Sequence, residues 1–110
     1  MAISEITAEE LVAAATAAGG RVPLVDVREL DEWADGHVEY ASHVALNTVP
    51  DHLDAFGADG ASEPTYVICK VGGRSFRACE FAAAHGKNVV NVAGGMMAWT
   101  DGGNAVTVGN

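Results

Sequence analysis

Cys69-Lys70-Val71-Gly72-Gly73-Arg74-Ser75 follows the apolar run Tyr66-Val67-Ile68 and leads into a segment, Ser75 to His85, in which Phe76, Cys79 and Ala83 recur on one helical face. The reading is strand, curl, helix. A cysteine ends a buried strand running from Tyr66, two glycines let the backbone bend tightly, and an arginine and a serine open the helix. Such a curl cradles anions, because the N–H groups of a bent loop and the positive end of the next helix both favour negative charge at its centre. A cysteine placed there has a depressed pKa and is a thiolate near neutrality. The expectation is a nucleophilic Cys69 that handles a small anion.

Other segments fall into place around this one. Leu24 to Val27 is short and apolar apart from Asp26, and is bounded by Pro23 and Arg28, so it reads as a buried parallel strand. A carboxylate near the end of a central strand is costly unless paired, and Arg28 is the nearest candidate partner. Val89 to Val92 is a further strand, after which Gly94-Gly95 turns into a short helix through Trp99. Near the N-terminus, Ile3 to Ile6 is an expected edge strand, and Thr7 with Glu10 has the spacing of a capping box. The Ala-rich helix from about 8 to 18 then has Leu11, Val12, Ala15 and Ala18 as its apolar stripe and ends at Gly19-Gly20.

Glu29 to Asp35 suits a short acidic helix stopped by Gly36, with Leu30 and Trp33 facing inward. Val44 to Leu46 is expected as the remaining strand. Pro50 opens a short helix carrying Leu53 and Phe56 and ending at Gly57, and 58 to 64 is a loop. The Gly-rich tail, 101 to 110, is expected to be mobile in its last few residues. Strands alternating with helices at this spacing indicate an α/β fold, a parallel sheet with helices on both faces. The loops after Val27, Cys69 and Val92 all leave strand ends on one edge of that sheet, where such folds place their sites.

With 110 residues the chain is expected to form one domain, its core spanning about 3 to 100, and to bury roughly 65% of its unfolded surface. It has two cysteines, no charged leader ahead of an apolar run, and no apolar stretch near the roughly 20 residues of a membrane span, so a cytoplasmic protein with reduced thiols is expected. Six Lys and Arg against 15 Asp and Glu give a net charge of -9, which argues against nucleic acid as a partner. An anion must then be captured by a local basic pocket, and Lys70 and Arg74 lie where one is wanted. His37, His43, His52 and His85 do not match zinc spacings, so no metal or other cofactor is expected. A structural hydrogen bond is expected for His37 and exposure for the other three.

Taken together, Leu24-Val25-Asp26-Val27-Arg28, Glu32-Trp33, Gly36-His37-Val38, Cys69 to Ser75, and Gly94-Gly95-Met96-Met97-Ala98-Trp99 resemble the single-domain rhodanese family, the thiosulfate sulfurtransferase-like proteins. The matches run in family order from near residue 22 to near residue 100. The resemblance implies a five-stranded parallel sheet and a two-step reaction. A cysteine thiolate takes the outer sulfur of thiosulfate, and the persulfide then passes that sulfur to cyanide or a thiol. Carried onto this chain, it makes Cys69 the nucleophile. Val71, Gly72, Gly73 and Ser75 belong to the cradle, Arg74 shapes the loop, and Lys70 assists the anion. Asp26 and Arg28 are the supporting strand-end pair. Glu39-Tyr40, Ala45 and Asn104-Ala105-Val106 depart from the family's usual Pro-Gly, Pro and Leu-Pro-Val. These departures bear on the 38 to 48 segment and the tail.

Other readings stand beside these. Cys69 is a buried structural thiol on the plainest view, and Cys79 a core residue or a resolving partner for Cys69. Lys70 either meets substrate or points to solvent. A cysteine phosphatase or arsenate reductase shares the thiolate-in-a-loop idea, but its signature has five residues between cysteine and arginine where this chain has four, and Ile68 stands where those phosphatases carry histidine. A persulfide carrier serving a protein partner shares the loop chemistry outright.

Overall fold

The computed structural model describes residues 2–110. Its elements in chain order are β1 (Ser4–Thr7), α1 (Ala8–Ala17), β2 (Leu24–Asp26), α2 (Leu30–Asp35), β3 (Ser42–His43), two 3-10 turns (Leu46–Asp51 and Leu53–Phe56), β4 (Thr65–Ile68), α3 (Gly73–Ala84), β5 (Val89–Ala93) and α4 (Gly95–Asp101). The strands form one parallel sheet in the order β1-β5-β4-β2-β3.

Successive strand residues point to opposite faces, and that alternation builds two cores. Val25, Val67 and Val89 face the layer of α3 and the 3-10 turns, packing with Phe56, Val49, Ala78, Cys79 and Ala82. Leu24, Ile68 and Val92 face α1 and α4, packing with Leu11, Met96 and Trp99. Each fully buried Val, Leu or Phe contributes about 1.5–3 kcal/mol, so both helical layers are held mainly by burial. No helix among the described residues is long and apolar enough to cross a membrane.

The Thr7 capping box forms in full: Glu10 N–H donates to Thr7 Oγ1 at 3.0 Å and Thr7 N–H to Glu10 Oε1 at 2.9 Å. Ala18 lies beyond α1 as its exposed C-cap, so the stripe ends at Ala15. Leu30 is 55% exposed, and α2 docks through Trp33 instead. A helix of six residues has room for one inward anchor, and His37 stacks on the Trp33 ring at 3.6 Å between centroids.

The third strand is Ser42–His43 rather than Val44 to Leu46. Those later residues do run beside β2, with Val44 N–H on Asp26 O and Leu46 N–H on Val27 O, both at 3.0 Å. Their apolar character reflects the core beneath them. Pro50 sits inside a 3-10 turn instead of opening a helix, and Leu53–Phe56 is a second such turn. Contrary to the expected exposure, His43 is half-buried, stacks on Trp33, and its Nε2 donates to Arg28 O at 2.7 Å. His37 Nδ1 donates to Trp33 O at 2.8 Å. The tail docks on α2 and on His37, two residues beyond it: Thr107 and His37 exchange backbone hydrogen bonds at 2.8 and 2.9 Å, and Gly109 N–H reaches Ala34 O at 2.8 Å.

Candidate active site

Strand β4 carries Cys69 to the carboxyl edge of the sheet, and the chain then curls through Lys70, Val71 and Gly72 into α3. Gly72 has φ +111°, a left-handed conformation that a side chain strains. A Cβ there would meet Gly94 N at 3.4 Å, so the curl also lies close against the backbone ahead of α4.

Cys69 is 1% exposed. Its Sγ accepts from Gly72 N–H at 3.1 Å and from Ser75 Oγ at 3.2 Å. Burial alone pushes a thiol's pKa up, but here the Ser75 hydroxyl and the N–H groups of Ser75, Gly72 and Val71 outweigh it, and the net shift is downward. The oriented dipoles of the loop thus favour the anionic form of this sulfur. Cys79 shows the opposite balance. Burial, with the negative charges of Glu5 and Cys69 nearby, pushes it up to about 12. Both cysteines are free thiols, and Cys79 stays protonated near neutrality.

The N-terminus of α4 supports the loop from the side. Met96 N–H donates to Cys69 O at 2.8 Å and Met97 N–H to Lys70 O at 3.0 Å, so two donors left unpaired by the helix are used on the loop. This approach needs Gly95, at φ +55°. A Cβ on it would lie 2.6 Å from Lys70 C and O and nearer still to Cys69 O.

Asp26 and Arg28 form a buried fork. Arg28 Nη2 donates to Asp26 Oδ2 at 2.8 Å and Nε to Oδ1 at 3.0 Å, while Nη2 also reaches Gly36 O at 2.7 Å. The pair ties β2 to the end of α2. Arg74 is engaged by α2: Nη1 and Nη2 donate to Glu32 Oε1 and Oε2 at 2.6 and 2.8 Å. That fork holds the Glu32 carboxyl down at about 2 and raises Arg74 further above the ordinary arginine range. Glu29 N–H also donates to Glu32 Oε1, at 3.1 Å. Lys70 is exposed at the rim.

A cavity of about 450 Å³ opens beside the loop, bounded by Arg28, Glu32, Asp35, Lys70, Met96 and Met97 among others. The cysteine does not line it. Its chain neighbour Lys70 does, as does Met96, which is bonded to its carbonyl. Trp99 belongs to the core, with Nε1 donating to Ala105 O at 3.0 Å.

Two residues that matter for the loop escaped the sequence reading as participants. Glu32 appeared there only as part of a motif, with no partner. Asn91, 1% exposed in the middle of β5, donates from Nδ2 to Gly72 O at 3.2 Å and to Glu5 Oε2 at 2.7 Å. A polar residue inside Val89-Val90-Asn91-Val92 is the same kind of anomaly as Asp26, and it was the available signal.

Comparison with known proteins agrees with this geometry. The family model described as Rhodanese-like domain matches residues 7–101. A Bacillus subtilis protein named "Putative sulfurtransferase YtwF" is 39% identical over 77 residues, which span 69% of this chain and 71% of that one. The thiosulfate sulfurtransferase GlpE of Pseudomonas entomophila is 33% identical over 77 residues, 69% of this chain and 68% of its own. Among solved structures, a rhodanese-like domain protein from Staphylococcus aureus superposes with a TM-score of 0.83 at 34% identity, covering 98% of this chain and 100% of that one. A parallel five-stranded sheet with a cysteine loop at its carboxyl edge, matched over most of its length by sequence and by structure, places this chain in the rhodanese-like domain family, with relatives named as sulfurtransferases among its matches.

Proposed function

We propose that this protein moves sulfane sulfur from thiosulfate, or a related donor, to cyanide or a thiol through a persulfide on Cys69. The observation that carries the reading is the surroundings of Cys69 Sγ: backbone and hydroxyl donors close around it and its pKa is lowered. A pre-formed thiolate needs no separate general base. It attacks the outer sulfur of thiosulfate, the S–S bond breaks, and its electron pair leaves on sulfite. The acceptor then attacks the outer sulfur of the persulfide, and the electron pair of that S–S bond returns to Cys69 Sγ.

In this scheme the N–H groups from Val71 to Ser75, Gly73 included, cradle the outer sulfur, as an oxyanion hole does for oxygen. Arg74 braces the loop against α2 through Glu32, and Lys70 meets the departing or incoming anion. Asp26 and Arg28 hold the adjoining strand end and do not react. The name of the Pseudomonas relative supports thiosulfate as donor.

Incubation with thiosulfate is expected to add the mass of one sulfur atom to the intact protein, and Cys69→Ser to abolish both adduct and turnover. An adduct that persists in Cys69→Ser, or that moves to Cys79, refutes the assignment. Faster turnover of an aryl phosphate than of thiosulfate supports a phosphatase instead. Stable persulfide formation with sluggish turnover of every small donor points to a carrier loaded by another protein.

A further inference from the structure

Whichever donor loads Cys69, the sulfur must leave past the walls of the adjoining cavity, and the charges on those walls are unequal. Arg28 is neutralised by Asp26 and Arg74 by Glu32. What remains facing the space is one cation, Lys70, which has no carboxylate partner among the described residues, and two carboxylates, Asp35 on α2 and Asp101 at the end of α4. Both carboxylates belong to exposed residues without ion-pair partners among the described residues. The rest of the rim is Gly36, Thr100, whose Oγ1 donates to Met96 O at 3.1 Å, and three apolar side chains, Met97 at 50% exposed, Val106 at 39% exposed and the buried Met96.

The mouth therefore carries a net negative charge on a chain that is itself at -9. A cleft of one sign repels ligands of that sign and concentrates those of the other, by about tenfold or more in association rate.

We infer that the sulfur acceptor of this protein is a thiol carrying an ammonium group, an aminothiol, and that Asp35 and Asp101 are specificity-determining residues which select it over anionic thiols. The inference rests on the Cys69 persulfide proposed above. The acceptor's ammonium lies toward Asp35 and Asp101, its short alkyl chain lies along Met97 and Val106, and its thiolate attacks the outer sulfur. The bond from that sulfur to Cys69 Sγ breaks, the electron pair returns to Sγ, and the aminothiol leaves as its persulfide, so sulfur and electrons balance without an added oxidant or reductant.

The test starts from protein preloaded at Cys69 with excess thiosulfate or inorganic polysulfide and freed of donor, with loading checked by intact mass. Single-turnover discharge is then measured with cysteamine, 2-mercaptoethanol and 3-mercaptopropionate. These three are short thiols ending in an ammonium, a hydroxyl and a carboxylate. Their intrinsic reactivities differ, so the informative quantity is the change in their ratio between the native protein and Asp35→Asn/Asp101→Asn.

In the double variant the cysteamine to 3-mercaptopropionate ratio of second-order rate constants is expected to fall about tenfold, with 2-mercaptoethanol, whose attacking thiolate carries one negative charge, changing by an amount between the two and the difference shrinking as salt is raised. Lys70→Gln is expected to move the ratio the opposite way. An unchanged ratio with normal loading overturns the aminothiol inference alone. Failure of Cys69 to load from either donor overturns the persulfide reading as well.

Discussion

The Ser75 hydroxyl is the group whose removal best tests the account of the Cys69 thiolate. Ser75 Oγ lies 3.2 Å from Cys69 Sγ and also 3.2 Å from Gly72 O. Its single proton can serve only one of them. Against a neutral thiol the better acceptor is the carbonyl, and against a thiolate it is the sulfur. Gly72 O loses little when the proton turns away, since Phe76 N–H at 3.1 Å and Asn91 Nδ2 at 3.2 Å also donate to it.

Ionisation thus exchanges a neutral hydrogen bond of about 1 kcal/mol for a charge-assisted one of about 2–3 kcal/mol. The difference, about 1–2 kcal/mol, corresponds to roughly one pKa unit. Ser75→Ala is therefore expected to move the pH profile of Cys69 alkylation by iodoacetamide to higher pH by about one unit, slowing the reaction about tenfold on the rising limb of that profile and little on its plateau. The assay is the pH profile of that alkylation rate. Cys79, pushed up to about 12, does not titrate in the relevant range. Because a thiol with a raised pKa ionises later, the profile of the variant must lie at higher pH. A profile that stays put or moves to lower pH refutes the role given to Ser75.

Other expectations follow from neighbouring contacts. Gly95→Ala drives a Cβ into the carbonyls of Cys69 and Lys70 at a left-handed φ, with Lys70 C and O at 2.6 Å. It is expected to cost about 3 kcal/mol in urea unfolding and to slow Cys69 alkylation. Arg28→Met leaves the carboxylate of Asp26, fully buried, without its partner. The expected loss is about 3–5 kcal/mol, and the double change Asp26→Val/Arg28→Met should recover much of it.

The Glu32 carboxyl is depressed from 4.5 to about 2, first through its hydrogen bond with Arg74. Such a group stabilises the fold above its unfolded pKa and loses that contribution as pH falls through its folded value. The stability gap between the native protein and Glu32→Gln, measured by urea midpoints, should therefore be present at about pH 6 and close as pH drops from 4.5 toward 2. The gap should be no more than about 1 kcal/mol, because Arg74 is partly open to water.

Where an element is specified by its own residues, sequence and structure agree closely. Thr7 and Glu10 cap α1 by contacts three residues apart, Asp26 and Arg28 pair two residues apart, and Gly72 sits at the bend that its freedom of φ suits. The expected exposure of His43 failed because Trp33 and the carbonyl of Arg28 come from elsewhere in the chain. The edge strand was misplaced by two residues for a related reason. A strand paired on one side only, with Ser42 and His43 as its residues, carries little hydrophobic signal, and the apolar Val44 beside it answers to a different layer.

By itself, then, the order of residues determined the strand–curl–helix around Cys69, the alternation that makes a parallel sheet, and the lone carboxylate that needs an arginine. These rest on periodicity, caps and glycine conformations acting over a few residues. The sheet order decided the rest. It seats β5 beside β4, so that Asn91 reaches Gly72 across 19 residues, and the packing of α2 brings Glu32 to Arg74 across 42. It also lays Gly95 against the loop and sets Asp35 and Asp101 on one rim. Contacts of that kind depend on which strands become neighbours, a choice made by the burial of two whole faces at once, and no local run of residues carries it.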